Sequence, residues 1–124
     1  MESNINTMTV NGVEYVRADS INNNAPAKKL DGMPYVVIRS RDSGCHAGYL
    51  AEEEGDTVTL YHSRRLWQWS GAATLSQLAM EGVSGSGNKF PVEVDEITIY
   101  SICEKIQATE AARKSIKDVP VWSA

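Results

Sequence analysis

Long apolar runs are missing from this sequence, and with them any segment able to cross a bilayer as a helix, which takes about 20 apolar residues in succession. Cysteine is scarce. Cys45 and Cys103 stand far apart in unrelated patterns, so two free thiols are expected rather than a disulfide framework. Histidine is equally scarce: His46 and His62 form no metal-ligand spacing such as His-x-x-x-His. No metal and no resident cofactor are expected. Basic residues are outnumbered, 12 Lys and Arg against 16 Asp and Glu for a net charge of −4. That balance lacks the broad positive surface a long nucleic acid requires, although a small anionic ligand needs only a local basic cluster. The polar start, Met1-Glu-Ser-Asn-Ile-Asn, has no signal-peptide character, which predicts a cytoplasmic protein. There are no internal repeats.

What is present suits one domain with an appended arm. The chain has 124 residues, of which 42% are hydrophobic and 23% charged, enough to bury a core without disulfides or metal. Asn11-Gly12 lies between two β-rich flanks and specifies a two-residue hairpin, because both turn positions need positive φ. Residues 1–21 are thus expected as an N-terminal hairpin arm, packed on the body or on a neighbouring subunit. Residues 22–33 are polar, contain Pro26 and show neither period, and read as a linker. The body is expected to run from 34 to 124.

Within the body, Tyr35–Arg39 and Cys45–Ala51 read as strands, with Gly48 marking close backbone contact. Glu52-Glu-Glu-Gly-Asp56 reads as an acidic hairpin loop. Thr57–Trp69 alternates: Val58, Leu60 and His62 take one face, and Tyr61, Arg65, Trp67 and Trp69 the other. Ser70-Gly71 breaks the run. Ala72–Met80 then favours a helix, with Leu75, Leu78 and Ala79 on a buried stripe and Gly82 as the stop. After the Gly-rich 84–89 loop, residues 90–107 make one or two strands. Ile97, Ile99, Ser101 and Cys103 share one side of that stretch, and Thr98, Tyr100 and Ile102 the other. Thr109 caps a closing helix, Glu110–Asp118, that buries Ala112 and Ile116. Val119-Pro-Val-Trp122 is an extended tail. The fold expected is α+β, an antiparallel sheet wrapped around two short helices.

A catalytic centre is hard to assemble from these residues. Cys45 and His46 are adjacent in a strand, so their side chains point to opposite faces and cannot form a thiol–imidazole pair. Glu52-Glu53-Glu54 lacks the ligand alternation of a calcium loop. Ser84-Gly-Ser-Gly-Asn-Lys89 is not a nucleotide P-loop, since no strand–loop–helix order surrounds it. No catalytic residue is assigned. Basic and aromatic groups are the stronger combination: Arg supplies bidentate phosphate contacts, aromatic faces stack on bases, and Asn can read an adenine edge. Arg64 and Arg65 stand beside Trp67 and Trp69, Asn88 and Phe90 border the flexible loop, and Arg113 lies one turn after the Thr109 cap. The helix start favours an anion, so Arg113 is expected to hold a phosphate there. Arg64 and Arg65 face opposite ways on a strand, and Arg65 falls on the Trp67 and Trp69 side.

Three blocks carry a family resemblance: Arg64-Arg-Leu-Trp-Gln-Trp-Ser-Gly-Ala-Ala-Thr-Leu-Ser-Gln-Leu-Ala79, the strand end Ala47-Gly-Tyr-Leu50, and Thr109-Glu-Ala-Ala-Arg-Lys-Ser-Ile116. Over roughly residues 34–122 the chain resembles the first family of Thoeris anti-defence proteins, phage proteins that act as sponges for an immune signal. The resemblance implies binding, without cleavage, of cyclic ADP-ribose isomers made by bacterial TIR-domain enzymes. It implies homo-oligomers, a dimer or hexamer with pockets between subunits, and in some members a separate site for cyclic oligonucleotides. Arg64, Arg65, Trp67, Trp69 and Arg113 match its blocks.

The expected ligand-binding set is therefore Arg64, Arg65, Trp67, Trp69, Asn88, Phe90, Thr109 and Arg113. The expected function is sequestration of a cyclic nucleotide signal in the cytoplasm of an infected bacterial host. No membrane partner and no long nucleic acid are expected. The alternatives are a structural or protein-binding phage accessory protein and an enzyme acting on a nucleotide signal.

Overall fold

In the computed structural model of the chain, residues 9–10, 13–14 and 25–123 are described. Thr9–Val10 (β1) and Val13–Glu14 (β2) pair antiparallel with Val10 opposite Val13, the register of a two-residue connection. The Asn11-Gly12 turn itself, the 15–21 remainder of the arm and the 22–24 start of the linker lie outside the described residues. The body is α+β. Its strands are Tyr35–Ser40 (β3), Gly44–Glu54 (β4), Thr57–Arg65 (β5), Val94–Ile99 (β6) and Ile102–Gln107 (β7). They form one antiparallel five-stranded sheet in the order β6-β5-β4-β3-β7. Two helices, Leu75–Glu81 (α1) and Glu110–Asp118 (α2), complete it. No helix among the described residues is long and apolar enough to cross a membrane.

The edge strands β6 and β7 lie at opposite ends of the order, yet only Tyr100-Ser101 separates them in the chain. So short a link requires the sheet to curl until its two edges approach at one end. The link is anchored by Ser40 Oγ donating to the Tyr100 carbonyl at 2.7 Å, Arg41 N to Ser101 O at 3.0 Å and Ile102 N to Asp56 O at 2.8 Å. Val36, Ile38, Val58, Leu60 and Ile99 fill the concave face, with Leu50, Ile97 and Ile102 packed against them. β6 and β7 do not pair, so the sheet stays open along that seam.

The other face carries the larger core: Tyr35, Val37, Cys45, Ala47 and Tyr49 meet Leu75, Leu78 and Ala79 of α1 and Ala112 and Ile116 of α2. Both helices start where hydroxyl caps allow. Thr74 Oγ1 accepts from Gln77 N at 3.1 Å, and Thr109 Oγ1 from Ala112 N at 3.1 Å. Gly82 ends α1 with φ 82°, and a Cβ there would lie 2.5 Å from the Ser115 Cβ, so the helices touch where only glycine fits. Gly48 is a second close approach, a Cβ on it falling 3.0 Å from the Ser63 Cα.

Two expectations need correction. The described part of the linker, 25–33, is docked rather than loose. Ala27 N donates to Ala108 O at 3.0 Å, Glu110 N to Ala25 O at 2.9 Å, and Ala27 is buried while Leu30 and Met33 pack on the core. Its backbone bonds to the start of α2 replace the periodicity a sequence would show. The alternation expected through 97–103 also fails. Ser101 has φ 59°, which resets the strand phase, so Ile102 joins Ile97 and Ile99 on the concave face.

Candidate functional site

The site has to be built from β5 onward, because a phase change there reassigns both arginines. His62 has φ 53°. Between Ala47 and Tyr49 of β4, two steps long, β5 runs three steps from Arg64 to Tyr61. One extra residue in β5 is a bulge, and it moves every later side chain to the opposite face. Arg64, not Arg65, therefore points to the helix face. Arg65 lies with His46 and Ser63 toward the concave face, and its Nη1 donates to Ser43 O at 2.7 Å.

Arg64 is 3% exposed, and its guanidinium is held by main-chain carbonyls. Nε donates to Pro91 O at 3.2 Å, Nη2 to Phe90 O at 2.7 Å, and Nη1 to Ile116 O at 3.0 Å and Val119 O at 2.6 Å. Its Cζ sits 5.5 Å from the centre of the Phe90 ring. The charge thus rests on the carbonyl end of α2, where a cation is favoured. Arg64 holds β5, the 90–91 segment and the end of α2 together, with four of its five N–H donors on carbonyls and the side chain buried away from any phosphate. Phe90 is fully buried in the core beneath it. Thr109 is buried too; besides capping α2 it donates to Met80 O at 2.7 Å. These three are structural, which corrects their assignment to the ligand.

The remaining expected residues scatter. Trp69 is half-buried against the core with Nε1 donating to Ala72 O at 3.2 Å, while Trp67 is 64% exposed. Arg113 makes a two-pronged pair with Glu110 and lies 3.4 Å from the Tyr49 hydroxyl. At about 100° per residue, Arg113 and Lys117 share one side of α2, and Ser115 and Asp118 another. Lys117 reaches Glu93 at 2.7 Å from that first side.

Asn88 stands in a cleft, but as a latch. Its Oδ1 accepts from Ser70 N at 2.8 Å and its Nδ2 donates to Ser84 O and Gly85 O, both at 3.3 Å. Ser70 Oγ adds a bond to Ser84 O at 2.6 Å, and Gln68 and Lys89 pair through their backbones. The amide therefore shapes the 84–89 loop instead of reading a base edge. Opposite the loop runs the C-terminal tail: Val121 bridges to Phe90 in parallel, and Trp122 N donates to Phe90 O at 3.0 Å.

Loop, tail and the last turn of α2 enclose a cleft of about 610 Å3, lined among others by Ser84, Ser86, Asn88, Asp118 and Trp122. The Trp122 ring is 42% exposed, with the Lys89 ammonium 5.6 Å from its centre. Among the described residues, nothing accepts from the backbone N–H groups of Gly85, Ser86 or Gly87. Such unpaired N–H groups on a loop suit an anion. Asp118 makes the opposite wall negative, while the α2 carbonyls beside it are already met by the Arg64 guanidinium. The cleft is therefore polarised, with the Gly85 and Ser86 N–H groups at one end and Asp118 at the other, and the Lys89 ammonium stands beside Trp122 outside its lining. Trp122, Ser84 and Ser86 were not among the expected site residues. The signal in the sequence was the apolar Val119-Pro-Val-Trp122 tail, too short to pair with itself.

Cys45 packs into the helix-side core, whereas His46 lies against the concave face, so this thiol and imidazole are held apart. Among the described residues, no three His, Cys, Asp or Glu side chains gather as a metal site. No curated protein and no solved structure matches the chain. A family model does match, over residues 33–116 and so over more than half of the sequence, and the chain belongs to the family described as a domain of unknown function (DUF6948).

Proposed function

We propose that this protein binds a cyclic nucleotide-type immune signal, a cyclic ADP-ribose isomer, and withholds it uncleaved in the cytoplasm of an infected bacterial host. The observation that carries the reading is the polarised cleft. Its volume of about 610 Å3 falls in the range of small-molecule sites, about 300–1,000 Å3. The Trp122 ring offers a stacking face for a base, worth on the order of 1–3 kcal/mol. The Gly85 and Ser86 N–H groups offer a place for phosphates, the Lys89 ammonium beside Trp122 adds positive charge nearby, and Asp118 fixes the orientation by repelling them from the other end. The resemblance over residues 34–122 supports the same class of ligand. Trp67, Val92, Val121 and Trp122 leave apolar surface uncovered, which supports a homo-oligomer, dimer or hexamer, with the cleft completed by a neighbouring subunit. The exposed Trp67 also favours a second reading, a phage accessory protein that binds another protein.

Titration calorimetry with cyclic ADP-ribose isomers tests the first reading. Saturable binding is expected, with intact ligand recovered after heat denaturation. Trp122→Ala should weaken it about tenfold or more, whereas Arg113→Ala, on the far side of α2, should leave it within about twofold. Conversion of the ligand to product would establish an enzyme instead. Absence of binding to every isomer by a correctly folded oligomer would leave the accessory reading.

A further inference from the structure

The bulge that turns Arg65 away from the helices turns it into a second, smaller cavity. This cavity of about 140 Å3 lies at the concave face and is lined by His46, Ser63, Arg65, Pro91, Val92, Val94 and Ile97. It shares no lining residue with the Trp122 cleft. At ~30 Å3 per water, it has room for a group of roughly four to five water volumes. Small-ligand sites are concave and apolar-walled, with a few convergent polar groups.

Three polar groups converge here. Ser63 is 2% exposed, and its hydroxyl is buried with no hydrogen-bond partner among the described residues. A buried hydroxyl left unpaired is unfavourable, and each such group calls for an explanation. Arg65 gives Nη1 to Ser43 O, and among the described residues its Nε and Nη2 donate to nothing. His46 is 1% exposed, with Nε2 3.1 Å from Ser43 O. A carbonyl can only accept, so Nε2 carries a proton. Burial first, and then the Arg65 charge, hold its pKa down at about 4, so at neutral pH it adds no second cation. One guanidinium and one hydroxyl match one negative charge. Pro91, Val92, Val94 and Ile97 make the remaining walls apolar, and Val92 and Val94 are exposed at the rim.

We infer that this cavity binds a short aliphatic carboxylate, its oxygens held by Arg65 and Ser63 and its carbon chain laid against Val92, Val94 and Ile97. A guanidinium presents two parallel donors to a carboxylate, and the Ser63 hydroxyl completes the set. A dianionic phosphate would bring a second negative charge with no cation to meet it and no carbon chain for the walls. The site lies on the opposite face of the sheet from the nucleotide cleft and does not depend on that reading.

Heteronuclear NMR titration of the full chain with isovalerate tests it, with inorganic phosphate and 3-methylbutan-1-ol as comparison probes. Isovalerate should produce saturable shifts at the amides of His46, Ser63, Arg65 and Ile97. The alcohol, lacking the charge, and phosphate, lacking the chain, should each bind at least about tenfold more weakly. Arg65→Gln should cut isovalerate affinity about tenfold. Ser63→Ala removes an unpartnered hydroxyl, so it should fold at least as well as the parent while binding isovalerate more weakly. It carries the test if Arg65→Gln does not fold. No saturable shift, equal affinity for phosphate or alcohol, or unchanged binding by a folded Ser63→Ala protein would each overturn the site.

Discussion

Arg64 Nη1 donates to Val119 O at 2.6 Å, joining strand β5 to the residue that ends α2, 55 positions later. The same nitrogen also reaches Ile116 O, which Val119 N approaches at 3.4 Å, so a single side chain binds two carbonyls at the end of α2. It also fixes the origin of the tail that carries Trp122.

Arg64→Ala should remove all four hydrogen bonds and leave the Val119 and Pro91 carbonyls without a donor among the described residues, while Ile116 O keeps Val119 N and Phe90 O keeps Trp122 N. Hydrogen bonds from a charged group contribute about 1.5–3 kcal/mol each, and buried acceptors left bare add to the loss. A drop of at least about 3 kcal/mol in urea unfolding is expected. Arg64→Lys should recover only part of it, because an ammonium cannot span four carbonyls. Arg65→Ala should cost within about 1 kcal/mol, since Arg65 is only half-buried. Equal losses for Arg64→Ala and Arg65→Ala would contradict the phase change at His62.

His46 gives a pH signature. Burial and the neighbouring Arg65 lower its pKa from 6.5 to about 4. The unfolded chain therefore takes up a proton before the folded one does. The stability linked to His46 is complete above pH 6.5 and is lost as pH falls through about 4, amounting to roughly 3 kcal/mol at most. His46→Asn should flatten that part of the stability–pH curve. An imidazole titrating near pH 6.5 by NMR in the folded protein would rule the prediction out.

Glu110 acts in a lower window. The hydrogen bond from Arg113, reinforced by Lys28 N, holds its pKa down from 4.5 to about 2. Its contribution is present above pH 4.5 and disappears as pH falls through about 2. The two side chains keep 20% and 17% of their surface in water, so screening trims the effect to about 1–2 kcal/mol. Glu110→Gln should remove the slope between pH 4.5 and 2 and leave the His46 slope alone. Chemical denaturation across both windows checks this directly.

Gly82→Ala should disturb both fold and cleft. Its φ of 82° and the 2.5 Å approach to Ser115 leave no room for a methyl group. Ser115 Oγ accepts from Val83 N at 2.8 Å and donates to Val83 O at 2.9 Å, so displacing it breaks two bonds at the cleft wall. A loss of about 1–3 kcal/mol is expected. Ser115→Gly in the Gly82→Ala background should restore part of it by making space. Melting temperatures of the single and double variants decide the matter.

Much of the framework was legible in short stretches of sequence. Thr109 and Gly82 mark helix ends because capping involves residues three or four apart. Gly48 announced a close approach, and Ala112 and Ile116 a buried stripe, because spacing alone sets which side chains share a face. Those features are local, and the chain determines them by itself. Which arginine faces the helices was decided elsewhere. The positive φ at His62 inserts one residue against β4, and strand alternation carries no memory of phase across such a bulge. Ser101 does the same for Ile102. Trp122 reaches the cleft only because Val121 pairs with Phe90, 31 positions earlier, where Arg64 holds that segment. Side chains so distant in sequence have no shared period to reveal them, so the tertiary structure alone determined the cleft and left Arg113 on the far side of α2.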